Sequence, residues 1–151
     1  MENDLLLYQK CKPASSIIEQ VFSYDVRTLE QADDLFISKG VIALSQYLVY
    51  FKSQYNMTKS AVTNKERVME GVLFSLITPA IIKEFKTKKD ARASLVYTNQ
   101  VLNTLQDEID ALQDELVLLD GVDKTIMELI AAFKRELTRR ENELYQRKHY
   151  K

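Results

Sequence analysis

Glycine, proline and tryptophan are scarce in this chain of 151 residues, which holds three glycines, two prolines and no tryptophan. Glycine and proline are the poorest helix formers, so their scarcity beside plentiful Leu, Ala, Glu, Lys and Gln predicts an all-α protein. No segment with the two-residue period of a β-strand is long enough to indicate a sheet. A chain of this length can bury a core of its own, so one compact unit is expected.

Residues for covalent and metal chemistry are also few. The single cysteine, Cys11, excludes a disulfide or a cysteine metal cage within one chain and is typical of a reducing compartment. The single histidine, His149, lies near the end of the sequence, and no Glu-x-x-His motif accompanies it. The glycines are too far apart for a phosphate-binding loop. We therefore expect a protein that is not an enzyme and has no cofactor or bound metal.

Long apolar runs are absent as well. The most apolar stretch, residues 41–51, is too short to span a bilayer and contains Ser45 and Gln46. It is apolar on most of its circumference as a helix, which predicts a position at the centre of the fold or of an interface. The acidic first residues lack the basic start of a signal peptide, so we expect a cytoplasmic protein.

The most regular pattern lies at residues 102–147, where apolar residues recur at alternating steps of three and four. This is the a/d heptad pattern of a coiled coil. We predict a helical bundle that self-associates, with an N-terminal helical core at 1–92 and a heptad-patterned oligomerisation arm at 93–151. The predicted oligomerisation residues are Leu105, Ile109, Leu112, Leu116, Leu119, Ile126, Ile130, Phe133 and Leu137.

Two shapes fit this C-terminal arm. The heptad register passes through Gly121 without a slip, which favours one long helix. Asp120-Gly121 has the chemistry of a turn, which favours a helical hairpin. We slightly favour the hairpin, because burial within a single chain requires no partner. Asp123 falls at an a position, where a buried carboxylate would be costly, so residues 120–123 are expected to be exposed or bent.

Helix start and stop signals divide the rest of the chain. Ser16, Thr28 and Thr63 each have a Glu or Gln three residues later, the pattern of a capping box. Thr78-Pro79 has the form of an N-cap followed by proline at the first helical position. The helices predicted from these signals lie at 1–12, 17–24, about 28–56 and 67–78, with a break at 56–58 and a restart at Pro79.

A basic cluster follows, made of Lys83, Lys86, Lys88, Lys89 and Arg92 and flanked by Phe85 and Tyr97. On a helix, positions 85, 88, 89 and 92 share one face. Such a face can follow phosphates while aromatic rings stack on bases. A second basic cluster near the end of the chain contains Arg135, Arg139 and Arg140. The plain alternative is that these bases are solvated or pair with the acidic residues of positions 107–123.

The order of segments resembles that of phage recombination mediator proteins of the UvsY type. A tyrosine-rich segment at 45–54 precedes a Lys/Arg/Glu segment at 65–70, the Lys-Lys-Asp-Ala-Arg string at 88–92 and the heptad region. Proteins of that family are small, all-helical and ring-forming. They bind single-stranded DNA and help to load a recombinase onto strand coated by single-strand-binding protein.

The resemblance implies roles for particular residues of this chain. Lys86, Lys88, Lys89 and Arg92 would contact the DNA backbone, Arg135, Arg139 and Arg140 would have the same role, and the heptad seam would serve oligomerisation. The partners would be single-stranded DNA, a recombinase and a single-strand-binding protein in the host cytoplasm. The chain departs from the pattern in its net charge of −1 and its acidic 107–123 segment. The alternative function is that of a structural or adaptor coiled-coil protein, such as a virion, scaffold or inhibitor component.

Overall fold

The computed structural model describes residues 16–85 and 87–149, which are almost entirely helical and contain no strand. The predicted all-α class is confirmed. A short 3-10 helix, Val26–Gln31, lies between the first two α-helices. The α-helices are α1 (Ser16–Ser23), α2 (Asp34–Leu76), α3 (Pro79–Glu84), α4 (Lys88–Thr98), α5 (Gln100–Leu119) and α6 (Val122–His149).

These helices form two compact units. Unit 1 contains residues 16–54 and 120–149, and unit 2 contains Tyr55–Leu119. The division therefore falls within α2 and at the end of α5, whereas the sequence suggested a boundary between residues 92 and 93. The helix predicted at 1–12 lies outside the described residues. No helix in the described ranges is long and apolar enough to cross a membrane.

The start of α2 differs from the prediction. Thr28 was expected to cap a long helix, but it lies within the 3-10 helix, where its Oγ1 donates a hydrogen bond to the Asp25 carbonyl oxygen at 2.9 Å. Asp25 is the cap of the 3-10 helix, and its carboxylate accepts a hydrogen bond from the Arg27 backbone N–H at 3.0 Å. The long helix begins only at Asp34. Helix α1, in contrast, agrees with the prediction to within one residue.

Helix α2 continues through the break that was predicted at 56–58. The stretch contains no proline or glycine, and polar residues alone do not end a helix whose apolar face continues. That face reappears at Val62, Met69 and Leu73, all of which are buried. Thr63 lies in the middle of α2 and not at a helix start, and its Oγ1 donates a hydrogen bond to the Lys59 carbonyl oxygen at 3.2 Å. The capping box predicted at Thr63 was therefore wrong.

The later helix starts follow their capping residues. Thr78 caps α3 with Pro79 at the first position, as predicted, and its Oγ1 accepts a hydrogen bond from the Ile81 N–H at 3.4 Å. Asn99 begins α5 in the same way. Its Oδ1 accepts from the backbone N–H groups of Val101 and Leu102 at 3.0 and 3.3 Å. Both caps satisfy donors that the first turn of a helix leaves unpaired.

The helical stretch at 100–149 is long and bent. Gly121 has a φ of +82°, a conformation that ordinary residues rarely adopt, and it separates α5 from α6. Its carbonyl oxygen accepts hydrogen bonds from the backbone N–H groups of Lys124 and Thr125. Asp123 lies half-buried in the first turn of α6, where a negative charge is favourable. The bend predicted at 120–123 is confirmed. The hairpin is not confirmed, because α5 packs with α2 and α4 in unit 2, and Phe133 of α6 packs with Phe36 and Gly40 of α2 in unit 1.

The core of unit 1 is made by α1, the 3-10 helix, the first half of α2 and α6. Phe133 of α6 is fully buried and packs against Phe36, with ring centroids 6.0 Å apart, and against Gly40. The Phe22 ring of α1 meets Tyr47 edge to face at 5.5 Å. The buried residues of this unit are Ile18, Val21, Leu29, Ile37, Leu44, Tyr47, Phe51, Ile126 and Phe133.

The core of unit 2 joins the second half of α2 to α4 and α5. Its buried residues are Val62, Met69, Leu73, Leu102 and Ile109, with Leu95, Leu105, Leu112 and Leu116 packed around them. The nine residues predicted for oligomerisation are all buried or half-buried within one chain. The a/d seam was thus identified correctly as a burial surface, because its residues pack within the chain. Its role in oligomerisation stays a prediction.

Candidate nucleic-acid interface

The basic cluster predicted from the sequence lies on α3 and α4 of unit 2. Thr87 is the N-cap of α4. Its Oγ1 accepts a hydrogen bond from the Asp90 backbone N–H at 3.1 Å and donates one to the Asp90 carboxylate at 2.8 Å. This reciprocal pair fixes the direction of the first turn of α4. It also uses the Asp90 carboxylate locally, so that Asp90 serves the helix start.

Lys88 and Lys89 occupy that first turn, and both are exposed. Neither forms an ion pair with another residue in the described part of the chain. The N-terminal end of a helix carries partial positive charge from its unpaired N–H groups. Lysines placed there are repelled by this charge and make the local electrostatic potential more positive. An anion at this position would relieve the repulsion. The first turn of α4 thus presents two exposed lysines that form no described ion pair, beside the single acid Asp90.

Two further cations of the cluster differ in their surroundings. Lys83 is exposed in the last turn of α3, where a positive charge is favourable. Arg92 forms an ion pair with Glu70 of α2, with Nη2 and Oε1 2.5 Å apart and both side chains about half exposed. The pair attaches α4 to α2 and partly neutralises Arg92. Lys86, which the sequence also assigned to the site, lies outside the described residues.

Two aromatic rings of unit 2 are almost completely exposed. Tyr97 of α4 and Phe74 of α2 have 84% and 88% of their surface accessible. Exposed aromatic rings can serve as stacking surfaces for unpaired bases. The sequence singled out Tyr97 but missed Phe74. Positions 62, 69 and 73 of α2 face the core, and position 74 lies about 100° around the helix from position 73. Recognising 62, 69 and 73 as the core-facing positions would therefore have predicted that Phe74 is exposed.

Phe85, the other aromatic residue predicted for the cluster, lies in the sequence between α3 and α4, and its side chain is half-buried. It therefore offers less ring surface than Tyr97.

The second basic cluster, on α6 in unit 1, is engaged in intramolecular contacts. Arg140 has only 17% of its side chain exposed. It pairs with Glu136 at 2.7 Å and with Asp34, and it donates to the carbonyl oxygens of Leu29 and Glu30 at 3.0 and 3.1 Å. These bonds join α6 to the 3-10 helix and to the start of α2. Arg140 is therefore a structural cation, and we remove it from the candidate interface.

Arg139 and Arg135 complete that cluster. Arg139 forms ion pairs with Glu136 at 2.7 Å and with Glu143. Hydrogen bonds from Arg139 and Arg140 hold the pKa of Glu136 at about 2, and the same contacts raise the pKa of Arg139. Arg135 is exposed, and its Nε donates a long hydrogen bond of 3.4 Å to the Ala131 carbonyl oxygen. Only Arg135 of this cluster keeps its charge unpaired among the described residues.

The acids that follow the first cluster lie on α5. Glu108 pairs with Lys65 of α2 at 2.6 Å, so one acid of the segment is neutralised by the facing helix. Asp110 accepts a hydrogen bond from Gln106 at 2.7 Å and remains exposed, as do Asp107 and Asp114. Unit 2 thus has a basic end on α3 and α4 and an acidic stretch along α5.

No group of three or more His, Cys, Asp or Glu side chains in the described ranges could hold a metal ion. Comparison with protein-family models, with curated proteins and with solved structures finds no match to this chain.

Proposed function

We propose that this chain is a non-enzymatic protein that binds single-stranded nucleic acid through α3 and α4. The observation that carries the proposal is the placement of Lys88 and Lys89 in the first turn of α4, both exposed and neither in a described ion pair. Phosphates would supply a counter-charge, and Lys83 would add a third contact. Tyr97 would stack on a base while the lysines hold the backbone.

The role in recombination is a second step of the proposal. It rests on the resemblance in segment order to mediator proteins of the UvsY type, which bind single-stranded DNA and load a recombinase onto protein-coated strand. For this chain we propose the same role, with single-stranded DNA, a recombinase and a single-strand-binding protein as partners. Binding would hold strand near the recombinase and would involve no covalent chemistry.

The binding step can be tested by fluorescence anisotropy with a labelled single-stranded oligonucleotide at several salt concentrations. The double variant Lys88→Ala/Lys89→Ala should weaken binding and reduce the salt slope by about 1.4, because each phosphate contact on a single strand contributes about 0.7. Arg147→Ala/Lys148→Ala removes an adjacent exposed pair of charges from α6, outside both basic clusters, and is the matched control. Equal losses in the two variants would contradict a local surface on α4.

The mediator step has its own test. A recombinase is given single-stranded DNA already coated with single-strand-binding protein, and strand exchange is measured with and without this chain. We expect faster exchange with the wild-type protein and no gain with Lys88→Ala/Lys89→Ala. Tight DNA binding without any effect on strand exchange would refute the mediator role and leave the binding proposal standing.

A second candidate, the structural or adaptor protein, is supported by a different observation. Leu35, Ile42 and Val49 of α2 form an exposed apolar row in unit 1. Such a row is suited to a protein contact. If the oligonucleotide does not bind even at low salt, this candidate replaces the first.

A further inference from the structure

Helix α2 has two rows of apolar residues within unit 1, and only one of them is buried. The inner row is Ile37, Leu44 and Phe51, which are buried; the outer row is Leu35, Ile42 and Val49, which are 59%, 60% and 70% exposed. Each outer residue precedes an inner one by two positions. With 3.6 residues per turn, this offset places the rows on opposite sides of the helix.

A helix that is apolar on both sides is normally buried on both sides. The inner row packs into the core of unit 1, whereas the outer row faces solvent. Its seven-residue spacing is that of one position of a coiled-coil heptad, so it forms a straight line along the helix. Scattered exposed aliphatic residues are ordinary, but three in register along one helix indicate a contact surface.

We infer that the outer row binds a second copy of this chain, with the two α2 helices antiparallel and a two-fold axis near Ile42. The row is symmetric about Ile42, since Leu35 and Val49 each lie seven residues from it. Leu35 of one copy would pack against Val49 of the other, and Ile42 would pack against its own counterpart. This is the self-complementary arrangement that a two-fold dimer requires.

The charges beside the outer row favour the antiparallel direction. Asp34 and Lys52 lie on the same flank, one position before Leu35 and three after Val49. Antiparallel helices bring Asp34 of one copy near Lys52 of the other, which pairs opposite charges at both ends. The Asp34 side chain is 71% exposed despite its contact with Arg140, so it can accept a second donor. In a parallel pair, the two-fold axis would run along the helices and place the Asp34–Lys52 flanks of the two copies on opposite sides of the contact, so this pairing of charges would be lost.

The small side chains along the same line allow the helices to approach. Ser38 and Ser45 alternate with the outer row, and each hydroxyl is satisfied by a carbonyl oxygen four residues earlier, on Asp34 and Val41 respectively. Their burial would therefore leave no unpaired hydroxyl donor. The heptad seam of α5 and α6 offers less apolar surface for a dimer than the outer row, because its nine predicted residues are buried or half-buried within one chain.

Three aliphatic side chains make a small interface, so the dimer should form at micromolar or higher concentration. Two copies would bring two α4 surfaces to one strand, and the second contact would profit from the first by avidity. The dimer goes beyond the proposed function and does not depend on it, since it is measured without nucleic acid.

Sedimentation equilibrium over a range of concentrations tests the contact. The mass of the wild-type protein should rise from that of one chain toward that of two. Ile42→Lys should raise the concentration for half-dimerisation by tenfold or more, because two lysines would meet at the axis. Val68→Lys, at a comparably exposed position of α2 in unit 2, is the matched control and should dimerise normally. Circular dichroism should show the same melting temperature for both variants.

Cysteine cross-linking tests the direction of the helices. In a Cys11→Ser background, a Leu35→Cys chain is mixed with a Val49→Cys chain and oxidised. We expect the mixed disulfide between the two chains and little of either homodisulfide. A wild-type chain that stays monomeric up to about 1 mM, where association is worth only about 4 kcal/mol, would overturn the inference. So would dimerisation that is unchanged in Ile42→Lys, or a preference for the homodisulfides.

Discussion

A Cβ atom on Gly40 would lie 2.6 Å from Cε1 and 2.9 Å from Cδ1 of Phe133, so the buried phenyl ring occupies the space that any larger residue would need. Val21 closes the same space from α1, with its Cγ2 atom 3.3 Å from that Cβ position. Gly40 is therefore a position at which α6 packs tightly against α2.

Gly40→Ala should therefore destabilise the protein. A methyl group raises helix propensity by nearly 1 kcal/mol, but the clash with the ring costs about 1–3 kcal/mol in a well-packed core. Urea unfolding followed by circular dichroism gives the difference. Gly71→Ala is the control, because a Cβ atom there meets nothing within 4 Å. It should stabilise the protein by up to about 1 kcal/mol, and a gain in both variants would contradict the packing described for Phe133.

Gly121 should tolerate substitution poorly for a different reason. A Cβ atom there meets nothing within 4 Å, yet the φ of +82° strains any side chain. Gly121→Ala should cost about 1–2 kcal/mol, whereas Gly121→Asn should cost less because asparagine adopts this conformation more readily. Denaturant unfolding of the two variants checks the order. Equal stability of Gly121→Ala and wild type would contradict the bend.

Arg140 should matter for stability and not for nucleic-acid binding. Arg140→Ala leaves the Leu29 and Glu30 carbonyl oxygens without this donor and leaves Glu136 with Arg139 alone, and loss of charged hydrogen bonds of this kind costs about 2 kcal/mol. Arg135→Ala, at an exposed position of the same helix, should change stability by less than about 0.5 kcal/mol. Oligonucleotide affinity of folded Arg140→Ala should equal that of the wild type. A selective loss of affinity would return Arg140 to the interface.

Acid should weaken unit 1 through Glu136. Its pKa is about 2 in the folded protein, below the ordinary value of 4.5, because Arg139 and Arg140 donate hydrogen bonds to it. The unfolded chain takes up the proton first as the pH falls, so this contribution is complete above pH 4.5 and is lost between pH 4.5 and 2. Unfolding measured across this window should be less pH-dependent in Glu136→Gln. Glu141→Gln, at an exposed position of α6, should keep the wild-type profile.

Tyr97 should contribute to strand binding without contributing to stability. Tyr97→Ala removes a ring that is exposed on α4, and stacking on a base is worth about 1–3 kcal/mol, or a loss of affinity of about 5- to 150-fold. Tyr145→Ala removes an exposed tyrosine from α6 and is the control. Anisotropy with the same oligonucleotide measures both. Identical affinities for the two variants would show that Tyr97 does not stack.

The sequence predicted those features of the fold that depend on local residues. The all-α class followed from the scarcity of helix breakers, and the caps at Thr78 and the bend at Gly121 followed from their own chemistry. The extent of α2 could not be predicted, because it depends on whether an apolar face continues across 56–58 onto partners distant in sequence. The residues that pack against the heptad seam could not be predicted from the sequence either. Spacing indicates that a face is buried but not whether its partner belongs to the same chain.

The candidate site shows the same division. Lys88, Lys89 and Tyr97 are exposed on α4, consistent with the cluster identified by composition. Arg140 has the same charge and a similar local sequence, yet its surroundings are set by Asp34 and the 3-10 helix, more than a hundred residues earlier. No local pattern distinguishes a solvated arginine from one that such distant groups enclose.

That distance has a consequence for the order in which the protein forms. The carbonyl oxygens of Leu29 and Glu30 receive their donor from a residue 111 and 110 positions later. On the ribosome, this end of the 3-10 helix can therefore be capped only after α6 has been synthesised as far as Arg140. Truncation just before Arg140 should leave unit 2 able to fold but remove the hydrogen bonds from Arg140 to the 3-10 helix. Amide hydrogen exchange at residues 26–32 should then be faster than in the full chain.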